Sequence, residues 1–121
     1  MRKLVLAVGL LAALPSVASA QDAEAGKAVF KKCLACHAVG PDAKNKVGPQ
    51  LNGIVGRKAG TVEGFNYSDA MKNSGKTWDA ATLDGYLADP KAFIPGNKMV
   101  FVGVKDEKDR KDLIAYLETN K

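Results

Sequence analysis

The sequence predicts a small all-α domain with long loops, preceded by a secretion signal. Apolar residues recur with helical spacing near both ends of this domain, over residues 22–39 and 106–119. Between these stretches glycine and proline are frequent, and no stretch of any length alternates apolar and polar residues as a half-buried strand would. We therefore expect helices joined by irregular chain, without a sheet.

The first twenty residues have the order of a secretory signal peptide. Arg2 and Lys3 precede an apolar run from Leu4 to Leu14, and Val17-Ala18-Ser19-Ala20 supplies the small residues of a cleavage site. The run is eleven residues long, whereas a membrane span needs about 20, so a retained anchor is the less favoured alternative. Cleavage after Ala20 would leave residues 21–121 as one domain in an oxidising compartment.

The charge of the chain is mildly basic. It has 18 lysines and arginines against 13 acidic residues, a net charge of +5, and loss of Arg2 and Lys3 would reduce this to +3. Residues 105–121 contain five basic and five acidic side chains, so the whole excess lies before residue 105. The density of positive charge is far below that of a nucleic-acid-binding protein, and we expect no nucleic-acid partner.

The elements follow from local signals. Asp22 and Glu24 suit the start of the first helix, predicted over residues 22–39. The glycine-rich stretch 40–64 predicts loops, with a short helix around residues 50–55. A second short helix is predicted over residues 68–73, with Ser68 or Asp69 as its cap.

The C-terminal half has clearer boundaries. Asp79 is typical of an N-cap, and the helix that it starts must stop at Pro90. Pro95-Gly96 indicates a turn, after which residues 97–104 are predicted to be irregular or extended. Residues 106–119 form the most strongly amphipathic segment, charged on one side and apolar on the other.

The pentapeptide Cys33-Leu34-Ala35-Cys36-His37 contains both cysteines and the only histidine. Two thiols three residues apart, followed by an imidazole, suit covalent attachment of a haem through thioethers and ligation of its iron by the histidine. A thioredoxin-like redox pair is the alternative use of two such cysteines. That fold needs strands alternating with helices, which the sequence does not predict.

A low-spin haem needs a second axial ligand. Because the chain has one histidine, it cannot supply a second imidazole, and Met71 and Met99 remain as thioether candidates after cleavage. Met71 lies in a predicted helix and is typical of a packing residue, whereas Met99 follows Pro95-Gly96 in a loop able to cross a haem face. We favour Met99, and a lysine or an open sixth site are the alternatives.

Residues 21–121 resemble class I cytochromes c along their whole length. The resemblance implies a cytochrome c fold in which the N- and C-terminal helices cross, with Gly26 and Phe30 facing Leu113 and Tyr116, and shorter helices and long loops wrap one covalently bound haem c. The matching segments are Gly26–Phe30, Cys33–His37, Val47–Leu51, Gly56–Gly60, Gly64–Ala70, Thr77-Trp78, Tyr86-Leu87, Asp89–Lys91, Ile94–Phe101 and Asp112–Leu117.

The resemblance also implies roles for single residues. Cys33 and Cys36 would hold the haem, His37 and Met99 would ligate its iron, the Pro49 carbonyl would orient His37, and the Tyr86 hydroxyl would lie near the Met99 sulfur. Arg57, Tyr67, Trp78 and Asn97 would contact the haem propionates, and Phe101 would shield the exposed haem edge.

Two positions depart from the family pattern. Met71 stands where many relatives have an asparagine, and Asn97 where a threonine is common. We expect Met71 to make the pocket drier and so to alter the redox potential and the pH stability of the bond from Met99 to iron.

The function implied by the resemblance is that of a periplasmic one-electron carrier, monomeric, not an enzyme and without stable membrane insertion. Its partners would present acidic docking faces, as a quinol-oxidising complex, a terminal oxidase, a reaction centre or a dehydrogenase could. A high-spin haem protein with an open sixth site, peroxidase-like or gas-sensing, is the alternative. The docking lysines would be Lys27, Lys31, Lys32, Lys46, Lys91, Lys98 and Lys105.

Overall fold

The computed structural model describes Gly9 and residues 21–121, so the predicted signal peptide and its cleavage site lie outside the described residues. Within residues 21–121 the only β-type pairing is an isolated antiparallel bridge between Lys58 and Thr77. The all-α prediction is confirmed. No helix in this part of the chain has the length and apolar character needed to cross a membrane. The helices are α1 (Ala23–Phe30), α2 (Asp69–Lys72), α3 (Ala80–Ala88), α4 (Pro90–Phe93) and α5 (Glu107–Glu118).

Aspartate side chains cap four of the five helices. Asp22 accepts hydrogen bonds from the first amides of α1, and Asp106 does the same for α5. At α3, Asp79 accepts from the Thr82 amide at 2.8 Å while the Thr82 hydroxyl accepts from the Asp79 amide at 2.8 Å. These short polar side chains satisfy amides that have no partner within the helix, so the helix starts are encoded locally.

The first and last helices pack against each other. A Cβ at Gly26 in α1 would collide with the Asp112 carbonyl and lie 2.9 Å from the Tyr116 Cβ of α5. The Phe30 and Tyr116 rings are 5.4 Å apart between centroids. Because only glycine permits this approach, the predicted contact between the terminal helices is confirmed and the internal glycine has a structural reason.

The predicted end of the first helix is wrong. Regular α1 ends at Phe30 rather than continuing to Val39, and residues 31–36 form turns. The Cys33 amide bonds the Phe30 carbonyl at 2.8 Å, three residues back, and the His37 amide bonds the Cys33 carbonyl at 2.8 Å. Since such turns keep nearly helical spacing, the apolar pattern alone does not distinguish them from a helix.

Two further details differ from the prediction. Residues 50–55 form turns rather than a short helix, and the Gly53 amide bonds the distant Asn120 carbonyl at 2.7 Å. Pro90 does end α3, but it also begins the unpredicted α4, capped by Asp89. Proline suits the first position of a helix because the amide that it lacks would have no helical partner there.

The core is built from α1, α3, α5 and the segments that connect the helices. Trp78, Leu83 and Tyr86 are buried on one side, and Leu113 and Leu117 of α5 on another. All five also line a cavity in the centre of the domain. The fold therefore surrounds this cavity with apolar side chains from several elements.

Candidate haem site

The central cavity brings together the residues that the sequence predicts to bind haem. Its volume is about 260 Å³. Apolar side chains such as Leu51 and Ile54 form much of the remaining wall, and Met71 of α2 also lines it. The predicted haem contacts that line this cavity are Cys33, Cys36, His37, Pro49, Arg57, Tyr67, Trp78, Tyr86, Asn97, Met99 and Phe101.

The two cysteines are free thiols in the turn that follows α1. Burial, and to a lesser extent the neighbouring Cys36, raises the pKa of Cys33 to about 11. Cys33 is therefore a protonated thiol at neutral pH, unlike the low-pKa cysteines of disulfide exchange. The turn is braced from outside, because the Gly48 amide donates to the Cys36 carbonyl and Lys46 Nζ donates to the Leu34 carbonyl, each at 2.8 Å.

The imidazole of His37 is oriented by the main chain. Its Nδ1 lies 2.7 Å from the Pro49 carbonyl oxygen, so Nδ1 carries the proton and donates. Burial lowers the pKa of His37, and the bond to Pro49 partly opposes this shift. A neutral ring with Nδ1 protonated leaves Nε2 with a lone pair, the form that ligates a metal.

The loop that carries Pro49 is held by Arg57, which the sequence analysis expects at a propionate, and by Asn52, which the sequence analysis missed. Arg57 Nη1 donates to the Gln50 carbonyl at 3.0 Å, and its Nη2 donates to the Asn52 carbonyl. Asn52 pairs in turn with both main-chain groups of Gly40, at 2.8 and 2.7 Å. Asn52 precedes Gly53, which indicates a turn, but its partner Gly40 lies twelve residues away and no local signal identifies it.

Met99 is held at two of its atoms. The Tyr86 hydroxyl donates to the Met99 sulfur at 3.3 Å, and the Met99 amide donates to Asn97 Oδ1 at 2.8 Å. Burial raises the pKa of Tyr86 to about 12, so its phenol remains a donor over the physiological range. The contact between Tyr86 and the Met99 sulfur has the arrangement expected from the resemblance.

The residues expected at the propionates make protein bonds of their own. The Tyr67 hydroxyl accepts from the Val62 amide at 3.0 Å, and burial raises the pKa of Tyr67 while it lowers that of Arg57. Trp78 is buried and packs on Tyr86 with ring centroids 4.9 Å apart. Both hydrogens of the Asn97 side-chain amide are directed at main-chain carbonyls, those of Pro90 and Ile94.

This set of groups fits a covalently bound haem. Two free thiols, an oriented neutral imidazole and a thioether face one apolar cavity. Thiols and imidazole suit attachment and ligation of an iron porphyrin, and apolar walls suit its macrocycle.

Comparison with known proteins identifies the family of this chain. The family model described as cytochrome c matches residues 23–121. The chain belongs to the cytochrome c family. It is 60% identical over 118 residues to cytochrome c2 of Blastochloris viridis, covering 98% of this chain and 93% of that protein. Against cytochrome c2 of Rhodomicrobium vannielii, identity is 62% over 104 residues, covering 86% and 83% of the two chains.

A solved structure shows the same fold. Cytochrome c2 from Rhodospirillum centenum superposes with a TM-score of 0.79 at 45% identity, over 82% of this chain and 98% of that one. Like other cytochromes c, the chain is an electron carrier rather than an enzyme, and it holds one haem c through Cys33 and Cys36. The predicted family, fold, cofactor and general function are confirmed, and the thioredoxin-like alternative is excluded.

Proposed function

We propose that this cytochrome c is exported and carries single electrons between redox complexes of the periplasm, with His37 and Met99 as the axial ligands of its haem iron. The observation that carries the ligand assignment is the pair of contacts in one cavity. Nδ1 of His37 lies 2.7 Å from the Pro49 carbonyl, and the Met99 sulfur lies 3.3 Å from the Tyr86 hydroxyl. The haem iron supplies the reversible one-electron couple.

The protein residues bind the haem, orient its ligands and exclude water. Pro49 keeps the His37 proton on Nδ1 and makes the ring more basic. A thioether is a soft ligand that raises the reduction potential, so Met99 would shift the carrier towards a higher potential. Arg57, Tyr67 and Trp78 would serve the propionates, and Phe101 would cover the haem edge.

Export is supported by the first twenty residues. Their charged start, apolar run and small-residue end have the order of a signal peptide. Cleavage after Ala20 would leave residues 21–121, and the family match begins at residue 23.

The docking face would combine a basic rim with an apolar centre. Lys32 and Lys98 line the cavity, as do two strongly exposed valines, Val47 at 77% and Val100 at 94%. Lysines surrounding exposed apolar side chains suit an acidic partner surface with an apolar core. The candidate partners are a quinol-oxidising complex, a terminal oxidase, a reaction centre or a dehydrogenase.

Two of the seven predicted docking lysines are anchored to the main chain. Lys46 Nζ donates to the Leu34 carbonyl and Lys105 Nζ to the Ala88 carbonyl, each at 2.8 Å. A partner carboxylate would have to share these ammonium groups with a carbonyl. We therefore expect Lys27, Lys31, Lys32, Lys91 and Lys98 to contribute more to docking than Lys46 and Lys105.

Absorption spectra test the ligand assignment. The ferric protein should show a methionine-to-iron charge-transfer band, and the ferrous protein should not bind carbon monoxide. Met99→Ala should abolish the band, open the sixth site to carbon monoxide and lower the midpoint potential, because a soft ligand of ferrous iron is lost. Met71→Ala is the matched control and should retain the band.

Other outcomes would identify an alternative. Loss of the band in Met71→Ala but not in Met99→Ala would assign the distal ligand to Met71. Ready carbon monoxide binding by the unsubstituted protein would support the open-site, peroxidase-like or gas-sensing function instead.

A further inference from the structure

The side-chain amide of Asn97 is fully engaged with main chain around the Met99 loop. Its Nδ2 donates to the carbonyls of Pro90 and Ile94, each at 2.8 Å, and its Oδ1 accepts from the Met99 amide at 2.8 Å. An asparagine amide has two N–H donors, so both donors are used. The reverse orientation would place Nδ2 against an N–H and Oδ1 against two carbonyls, so the contacts determine which way the amide faces.

Asn97 connects an exposed loop to a buried anchor. Pro90 begins α4 with a fully buried side chain, and Ile94 at the end of α4 is 3% exposed. On the other side of Asn97, Met99 is half-buried and the next residue, Val100, is 94% exposed. Because the packing around Val100 is so sparse, the main-chain position of Met99 depends on this hydrogen-bonded connection.

The two contacts of Met99 restrain different parts of it. Tyr86 bonds the sulfur at 3.3 Å and Asn97 bonds the amide at 2.8 Å. Tyr86 therefore orients the end of the side chain, whereas Asn97 holds the backbone from which the side chain extends. Without the contact from Asn97 to the Met99 amide, movement of the loop would carry the whole Met99 residue, including its sulfur, away from its position.

We propose that Asn97 is a positioning residue that keeps the Met99 thioether on the haem iron, rather than a donor to a haem propionate. This inference rests on the proposed ligation by Met99. In the ferric protein, added imidazole competes with Met99 for the sixth position, so its apparent affinity reports how easily Met99 leaves. The charge-transfer band gives an independent readout of the bond from sulfur to iron.

Imidazole titration of the ferric holoprotein tests the proposal. Asn97→Ala, which removes all three contacts, should raise the apparent imidazole affinity about tenfold, equivalent to about 1.4 kcal/mol. Asn97→Asp retains an acceptor for the Met99 amide but places a carboxylate oxygen against the carbonyls of Pro90 and Ile94, so repulsion should raise the apparent affinity at least as much as Asn97→Ala does. It also provides a second variant in case Asn97→Ala does not fold.

Asn120→Ala is the matched control for general destabilisation. Asn120 also donates through its side-chain amide, to the Tyr116 carbonyl at 2.9 Å, and it does not line the cavity. The control should lower the free energy of unfolding without changing imidazole affinity. If it raises the affinity as much as Asn97→Ala does, Asn97 has only a structural role and the proposal is wrong.

A double-mutant cycle with Met99→Ala separates the remaining outcomes. When Met99 is absent, imidazole meets no competitor, so Asn97→Ala should have no further effect on its affinity. A persistent effect would mean that Asn97 acts on the haem itself, and would overturn the proposal. Absence of the charge-transfer band from the unsubstituted protein would instead overturn the ligation by Met99 on which the proposal rests.

Discussion

At Gly48 the main chain passes against the ring of His37. A Cβ at this position would lie 2.8 Å from either ring nitrogen of His37, well inside contact distance. The Gly48 amide also donates to the Cys36 carbonyl at 2.8 Å, so the chain cannot retreat without breaking that bond. Gly48 therefore fixes the distance between the imidazole and the loop that carries the Pro49 carbonyl.

We predict that Gly48→Ala raises the midpoint potential and lowers the free energy of unfolding by about 1–3 kcal/mol, as overpacking does. The added methyl would push Pro49 away from Nδ1, and a less basic imidazole stabilises ferric iron less. Potentiometric titration and urea unfolding measure the two effects. Gly75→Ala is the control, because Gly75 has a φ of +68° and open space around its Cβ.

The control should lower stability through backbone strain alone and leave the potential unchanged. An unchanged potential in Gly48→Ala would show that the Pro49 contact survives the substitution, contrary to the prediction.

On the scale of helices, a buried carboxylate joins the start of α1 to α5. Asp112 is 2% exposed, and its Oδ1 accepts from the Asp22 amide at 2.9 Å. Its Oδ2 accepts from Lys108 Nζ at 2.6 Å, one turn away on α5. The bond from Lys108, followed by the bond from the Asp22 amide, holds the pKa of Asp112 below its usual value of 3.8.

This shift makes the contact between the helices sensitive to acid. The folded protein favours the carboxylate, so Asp112 contributes stability above the pKa of an unfolded aspartate, near 3.8, and that contribution is lost as the pH falls through the lower folded pKa. We predict that Asp112→Asn is less stable than the unsubstituted protein at neutral pH and that this difference in stability narrows as the pH falls below 3.8.

Urea unfolding at neutral and acidic pH measures this difference. Asp42→Asn, which removes one carboxylate from an exposed loop position, is the control and should show no such narrowing. A difference between Asp112→Asn and the unsubstituted protein that stays constant with pH would contradict the prediction.

Local sequence signals did not predict every helix boundary. The cap of α3 was predicted at the correct residue because Asp79 bonds an amide only three positions away. The end of α1 was not, because the turns from residue 31 to 36 are held by contacts from outside, such as the Gly48 amide on the Cys36 carbonyl. The conformation of residues 50–55 likewise depends on a long-range hydrogen bond, from the Gly53 amide to the Asn120 carbonyl.

For the whole molecule, the distribution of charge is the property that bears on partners. The positive excess lies before residue 105, and Lys32 and Lys98 lie at the cavity. A basic region around the haem site would attract acidic partners over distances comparable to the Debye length, about 8 Å at physiological salt. Association should therefore depend on these lysines and on ionic strength.

We predict that Lys32→Glu combined with Lys98→Glu slows reduction by a purified quinol-oxidising complex at least tenfold at low salt and flattens the salt dependence. Lys111→Glu with Lys121→Glu changes the net charge equally in the charge-balanced C-terminal segment, and should have a smaller effect. Reduction by uncharged hydroquinone should be the same in all variants. Stopped-flow rates over a range of salt concentrations measure these effects.

Two results would contradict steering by these lysines. One is a rate for the unsubstituted protein that does not change with salt. The other is an equal loss of rate in both pairs of variants, which would indicate that net charge rather than its placement governs association.

The sequence by itself determined the covalent haem, the helical class and the terminal helices, because each depends on residues close together in the chain. Both cysteines and the histidine lie within five positions, and the helix caps act within one turn. What only the tertiary structure decided are the contacts between distant segments. The proton on His37 is set by Pro49, twelve residues away, and Met99 is held between Tyr86 and Asn97. Packing likewise brings the Asn97 side chain to the carbonyls of Pro90 and Ile94, since hydrogen bonds depend on distances that the chain acquires only when it folds.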